Sequence, residues 1–422
     1  MSVQLDRTLF RQTLGVVAVR TTTQKISRIV KLLHGNLLNV PKLRNVVSDP
    51  QTTKSDAPEK SPEDCKLILL NERIRRNSDE PRMLEGIAAD VHQKLIHEGV
   101  ELVDFQVELS YTHFNVEQVL AKLLPKQVQV PSSFECVGHI AHLNLREAHL
   151  PFKHLIGQVI LDKNPHIQTV VNKTDSIETK YRTFPMEILA GKDDFNVTVH
   201  ESRAVFCFNY AEVYWNSRLQ HEHARIIRLF DAKRDVVCDM MAGVGPFAIP
   251  LARKGCVVYA NDLNPHSYRY LLENIKRNKV APKLSAWNLD GRDFVQTLLK
   301  QNKRFSQVLL NLPATAIEFL DVFVGGGFDD WNDDELPWIH CYCFTSATEN
   351  QYEQDVLERV ERVLKGKLDR SATSFQLIRD VAPRKVMMCI SFRLTSQLAH
   401  TVSRQNLTSV PKRLKTDPQH AE

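Results

Sequence analysis

No stretch of this 422-residue chain approaches the roughly 20 consecutive apolar residues that a helix needs to cross a bilayer. No Cys-x-x-Cys pair occurs among the eight cysteines, at 65, 136, 207, 238, 256, 341, 343 and 389. That excludes the usual spacing of a structural zinc site and argues against a disulfide framework. Most of these cysteines lie in apolar runs such as Val236-Val-Cys-Asp239, where a thiol acts as a small core side chain, and a reducing compartment fits best. Neither sign of charge dominates: 55 basic and 50 acidic residues leave a net +5, compatible with a nucleic-acid partner without arguing for one. The composition is otherwise that of an ordinary globular protein, 43% hydrophobic and 25% charged, at a length that suits two or three domains.

Acids are scarce in one place. Among the first 45 residues Arg7, Arg11, Arg20, Lys25, Arg28, Lys31, Lys42 and Arg44 face a single acid, Asp6. Residues 1–49 thus have the composition of a mitochondrial targeting segment or of a basic, RNA-facing opening helix, and the two do not exclude each other. Residues 50–64 are polar and proline-dotted, a linker. Residues 65–132 mix helix-like and strand-like patterns, as in a small α+β accessory domain, and 133–200 form a second α+β unit joined to the C-terminal half of the chain. The polar tail, 396–422, is expected to be disordered, and its Pro411-Lys-Arg-Leu-Lys415 reads as a nuclear-import-like cluster or a solvated charge run.

Within 201–395 the pattern becomes regular from Arg234. Apolar strand candidates at 235–239, 256–261, 284–289, 306–311, 338–344, 374–381 and 386–394 alternate with helical segments, among them Pro265–Asn278, Arg292–Gln301 and Asn350–Leu364. Such alternation predicts a parallel sheet covered on both faces. The last two strands are separated by too few residues for a helical crossover, so they pair antiparallel. An α/β, Rossmann-like seven-stranded sheet ending in one antiparallel hairpin is the arrangement of class I S-adenosylmethionine (AdoMet) methyltransferases.

Three loops after these strands carry the chemistry. Asp239-Met-Met-Ala-Gly-Val-Gly-Pro-Phe247 follows the first strand; Gly243 and Gly245 let the backbone turn sharply and approach a ligand. A dinucleotide fold wants a third glycine, and Ala248 stands there instead. In Asn261-Asp-Leu-Asn-Pro265, Asp262 ends the second strand where an acid accepts ribose hydroxyls, with Leu263 beside it. Asn261 and Asn264 read as turn or cap residues. Asp290, before Gly291, either accepts the adenine amino group or caps the next helix. Asn311-Leu-Pro-Ala314 ends the fourth strand; an asparagine carbonyl there accepts from an amide-like edge, as methylation of a nucleobase nitrogen needs. The second proline and the stacking ring of many base methyltransferases are missing at Leu312 and Ala314, which argues against a base sandwiched on an aromatic at this loop.

Together with Val213-Tyr-Trp-Asn-Ser-Arg-Leu-Gln-His-Glu-His223, Gly138-His-Ile-Ala-His142, Phe152-Lys-His-Leu-Ile-Gly157 and Tyr181-Arg-Thr-Phe, these loops make the chain, over about 60–395, resemble the archaeal/eukaryotic tRNA guanine-N1-methyltransferases. The resemblance implies AdoMet as methyl donor and, as target, N1 of the guanosine 3′ to the anticodon (position 37), a modification that protects the reading frame. It implies that tRNA is gripped by its anticodon stem-loop and body, with the units before residue 200 taking part. It also implies service in the mitochondrial matrix, nucleus and cytoplasm. Nothing in the sequence demands more than a monomer.

On the residues alone Glu222 is an exposed helix acid and Arg182 a surface cation. The resemblance implies that Glu222 is the general base, that Arg182 stabilises charge at guanine O6, that His223 touches AdoMet and that Asn311 positions the guanine edge or the AdoMet end. The chemistry agrees, since guanine N1 must lose a proton and O6 must gain charge. Asp239, Gly243, Gly245, Asp262, Leu263, Asp290, Gly291 and Asn311 complete the expected AdoMet site. His139 and His142 with Cys136 read as packing or RNA-facing residues, so no metal is expected. Two other readings stand: an aminocarboxypropyl transferase of wyosine synthesis on the same base, and a catalytically silent RNA-binding scaffold.

Overall fold

The computed structural model describes residues 4–50, 65–77, 80, 83–131, 133–174, 181, 183 and 185–400. Two compact units divide the chain: Met1–Phe134 with Leu143–Asn172 and Ile188–Lys192, and Glu135–His142 with Lys173–Glu187 and Asp193–Glu422.

The first unit holds a four-stranded antiparallel sheet in the order Val46–Ser48, Cys65–Leu69, Gln12–Thr22, Glu101–Leu109. Gln12–Thr22 is an interior strand, and its run Val16-Val-Ala-Val19 is buried. Alternate side chains point to opposite faces: Val17 and Val19 pack with Ile29, Leu33 and Leu95, Val16 and Ala18 with Leu67, Leu69 and Val107. The opening segment is therefore not a basic helix. A run buried on both faces selects strand there, and helix Ile26–Leu32 comes only afterwards. Some cations of the opening segment find distant partners: Arg20 reaches Asp49 and Glu101, and Arg7 reaches Asp162.

In the second unit the seven-stranded sheet is the one anticipated. Numbered along the chain, its strands are Val236–Asp239, Val257–Asn261, Leu284–Trp287, Gln307–Leu310, Trp338–Thr345, Ser374–Ala382 and Lys385–Arg393. Their spatial order is third, second, first, fourth, fifth, seventh, sixth. The first five are parallel, and the seventh runs antiparallel to both its neighbours. Helices Ala248–Lys254, Pro265–Arg277, Gly291–Lys300 and Tyr352–Leu364 connect them. Asn264 caps the second of these with Pro265 in its first turn, and Asp290 caps the third.

Two expectations change. Between the fourth and fifth strands there is no regular α-helix but an eight-residue 3-10 segment, Ala316–Phe323. The acidic run 328–335 that follows, expected from its charge to be a solvated insertion, is pinned by Phe328 and Trp331, buried in the core with Phe305 and Phe323, so its polar residues are exposed while its aromatics are not. The tail expected from residue 396 opens instead with a short helix, Ser396–Ala399, whose Leu398 and Ala399 are buried. The basic cluster at 411–415 lies outside the described residues. All eight cysteines are free thiols, and Cys238, Cys256, Cys341, Cys343 and Cys389 are buried as small core residues.

Candidate active site

In an open α/β sheet, ligands bind beyond the carboxyl ends of the strands where the strand order reverses. Here the reversal lies between the first strand, which ends in Asp239, and the fourth, which ends in Leu310 just before Asn311. Between them the glycine loop crosses. Met240 N–H donates to the Leu309 carbonyl (3.0 Å) and Ala242 N–H to the Asn261 carbonyl (2.7 Å). Gly243 and Gly245 have φ +56° and +101°, a region that L side chains rarely occupy. A Cβ on Gly243 would meet nothing within 4 Å, whereas one on Gly245 would strike Ile249 and Leu271 at 2.8–2.9 Å. Gly243 thus keeps space open for a ligand, and Gly245 lets the loop pack on the helices beneath it.

Four acceptors ring this loop. Asp239 is fully buried, and neither carboxylate oxygen has a hydrogen bond of ordinary geometry. Burial pushes its pKa up to about 8; the Met241 amide offsets this only in part, and the nearby Asp262 adds to it. Asp262 accepts Gly243 N–H (2.8 Å) on one oxygen and Asn264 N–H (2.9 Å) on the other; burial raises it to about 6. With a further hydrogen bond from the Ser267 side chain, one of its lone-pair sites stays open. Asp290 caps its helix through Arg292 N–H (3.0 Å), so the capping role is real and leaves its second oxygen available. The buried Oδ1 of Asn311 has no partner. Leu263 is half-buried beside Asp262, and Gly291 opens the capped helix.

Orphaned buried acceptors are rare because each costs about 1–3 kcal/mol. Asp239 and Asn311 at one strand edge therefore require a donor-rich ligand. AdoMet, with ribose hydroxyls, amino groups and positive charge, fits this set.

A second cluster is built on helix Gln220–Leu229. Glu222, only 6% exposed, is not the solvated acid that its helical context suggests. Arg225 grips it with Nε on Oε2 (2.7 Å) and Nη2 on Oε1 (2.6 Å), and the Tyr342 hydroxyl donates to Oε1 (2.6 Å). Three of the four lone-pair sites are filled, and one on Oε2 stays open. That carboxylate raises the Arg225 pKa, and burial followed by neighbouring negative charge raises that of Tyr342. His223 is buried with its Nδ1 against Glu201, and its ring stands edge-on to Phe247 at 4.6 Å. Phe247 follows the glycine loop and lies 6.0 Å from Tyr342. Phe247 thereby joins the two clusters.

Arg182 lies outside the described residues. His142 contacts the Tyr210 hydroxyl (3.1 Å) and His139 the Asp194 carbonyl (3.2 Å), and no group of metal-ligating side chains is present among the described residues. Sequence reading missed Tyr342, Arg225, Glu201 and the role of Asn261. Asn261 is fully buried; its amide donates to the Met240 and Leu289 carbonyls and accepts Leu289 N–H, tying three loops together. Arg225 had a local signal, three residues after Glu222 on one helix face. The others had none.

Residues 198–367 match the family profile described as the TRM5/TYW2 methyltransferase domain, and 116–194 that of the TYW2 N-terminal domain. A tRNA (guanine(37)-N(1))-methyltransferase of Phytophthora infestans is 57% identical over 418 residues, covering 99% of this chain and 98% of its own. The Mus musculus protein of that name is 40% identical over 438 residues, 98% of this chain and 83% of its own. Among solved structures, Trm5b from Pyrococcus abyssi has 24% identity and a TM-score of 0.61, covering 90% of this chain and 99% of its own. The aTrm5–tRNALeu complex has 21% identity and a TM-score of 0.63, covering 90% of this chain and 100% of that one. At such identities the two structures speak for the fold.

Proposed function

The chain belongs to the tRNA (guanine(37)-N(1))-methyltransferase family, and from that premise we propose how its residues divide the work. The activity is methyl transfer to N1 of guanosine 37 in tRNA, with AdoMet as the cofactor that supplies the methyl group. Asp239, Asp262, Asp290 and Asn311, with Gly243 and Leu263, hold the cofactor; the orphaned acceptors of Asp239 and Asn311 carry this reading. Glu222 takes the N1 proton on its open Oε2 site, while Arg225 and Tyr342 keep the carboxylate aimed. The role of stabilising charge at O6 falls to Arg182, and that of orienting the guanine edge to Asn311. His223, held by Glu201 and packed on Phe247 beside the glycine loop, touches the cofactor.

The TYW2 N-terminal profile matches 116–194 alone, and identity to a named methyltransferase over 99% of the chain outweighs the aminocarboxypropyl reading. Work as a monomer, and in the mitochondrial matrix, nucleus and cytoplasm, belongs to the same proposal. Import into mitochondria would have to spare Gln12–Thr22, an interior strand of the first unit.

The direct test incubates the chain with labelled AdoMet and an unmodified tRNA transcript bearing guanosine 37, beside the same transcript with adenosine there. Label only in the first, recovered as 1-methylguanosine, is the expected result. Label in both would move the target elsewhere on the tRNA; transfer of an aminocarboxypropyl group would establish the rival.

A further inference from the structure

The loop joining the sixth and seventh strands is the two residues Pro383 and Arg384, closed by the pair Ala382 and Lys385. Proline suits the first corner of such a turn. The second corner, at φ +59°, is a position where glycine or asparagine is comfortable and arginine is not. Arg384 nevertheless stands there, exposed at the tip. Strain retained at one residue is a reason to look for what its side chain does.

Beneath the tip lies a cleft of about 470 Å³ lined by Arg218, Tyr352, Arg379, Asp380, Arg384 and Lys385 among others. Four cations face one acid. Arg379 donates Nε to the Asp380 carbonyl (3.0 Å), and the Lys385 ammonium stands over the Phe344 ring at 4.6 Å. No carboxylate forms an ion pair with any of the four among the described residues. Arg292 and Arg370, by contrast, are matched, by Asp321 and Glu353.

The cleft also lies at the working edge of the sheet. Val386, on its wall, pairs with Thr345 at the carboxyl end of the fifth strand, three residues beyond the Tyr342 that bonds Glu222. Three strand residues span about 10 Å. The opposite wall is Arg218, in the short 3-10 turn Ser217–Leu219 that runs directly into the helix bearing Glu222.

We propose that this cleft binds the sugar–phosphate backbone of the substrate RNA beside the nucleotide being methylated, with Arg218, Arg379 and Arg384 as the phosphate ligands. The proposal rests on tRNA being the substrate and deepens that reading. Guanidinium forks match phosphate oxygens two at a time, and an unmatched cluster of them attracts a polyanion in any sequence context. Placed beside Glu222, the contact fixes the register of the strand, which the glycine loop and Asn311 do not do. The contact supplies no sequence choice of its own.

The test measures the affinity of a tRNA transcript without AdoMet, across a range of potassium chloride concentrations. The wild-type chain is set beside Arg384→Gly, Arg218→Gln and the double variant. Arg384→Gly removes the cation and relieves the positive φ, so it keeps or raises the melting temperature; a loss of RNA affinity in it cannot be a loss of fold. Each single change is expected to lower the slope of log K against log salt by about 1. The double variant should bind about tenfold or more weakly at low salt, with AdoMet affinity unchanged. Slopes and affinities equal to wild type in a folded double variant would overturn the proposal, as would a loss confined to AdoMet binding. Should the wild-type chain bind tRNA and methylate no guanosine, the activity reading fails while the slope comparison still decides this one.

Discussion

Glu222 and Asp239 are both buried carboxylates, and they are buried in opposite ways. Glu222 is compensated by Arg225 and Tyr342, whereas Asp239 has no ordinary partner. Replacing Glu222 with Gln keeps the shape and the Tyr342 hydrogen bond but removes the proposed base. Turnover should fall by about 10²–10⁴-fold with AdoMet affinity retained; equal losses of both would make Glu222 a structural residue. At Asp239 the consequence is a pH dependence. Its folded pKa of about 8 lies above the ordinary carboxyl value of about 3.9. Between those values the native chain holds a proton that the unfolded chain has released, so stability falls as pH rises through that window. Asp262, raised to about 6, acts in the same direction over a narrower range. Asp239→Asn should therefore flatten the slope between about pH 6 and 8 and raise the ligand-free melting temperature at pH 8, while weakening AdoMet binding. Melting curves of variant and wild type that stay parallel across that range would refute this.

On the scale of elements, the glycine loop separates ligand space from packing space. In Gly243→Ala the new methyl enters open space, and the left-handed φ costs about 1–2 kcal/mol. Its main effect should be on AdoMet affinity, read by calorimetric titration. In Gly245→Ala the methyl meets Ile249 and Leu271 below 3 Å. Overpacking on top of backbone strain should destabilise by about 2 kcal/mol or more, seen as a lowered melting temperature even without ligand. If both variants melt alike, the division of roles is wrong. The strands were legible in the sequence because the first five are short apolar runs bounded by turn residues, a local signal. The N-terminal strand was not: its cations dominate the composition, although Val16–Val19 carried the pattern of a strand buried on both faces.

For the whole molecule, two compact units mean that a single unfolding free energy is not defined. Calorimetry should resolve two transitions. AdoMet at about 100 times its Kd should stabilise only the unit bearing the glycine loop, by about 2.7 kcal/mol. One transition that moves as a whole would mean that the units unfold as a single cooperative body.

By itself, the sequence determined the sheet, its terminal hairpin and the loops that ring the cofactor site, since strand periodicity, caps and glycines act within a few residues of where they stand. The state of the candidate-site side chains was decided only by tertiary structure. Glu222 meets Tyr342 across 120 residues, Asn261 reaches Leu289 across 28, and His223 finds Glu201 across 22. No local pattern encodes such meetings. They arise when the folded chain brings distant helices and strands together, and burial there leaves Glu222 compensated and Asp239 without an ordinary hydrogen-bond partner.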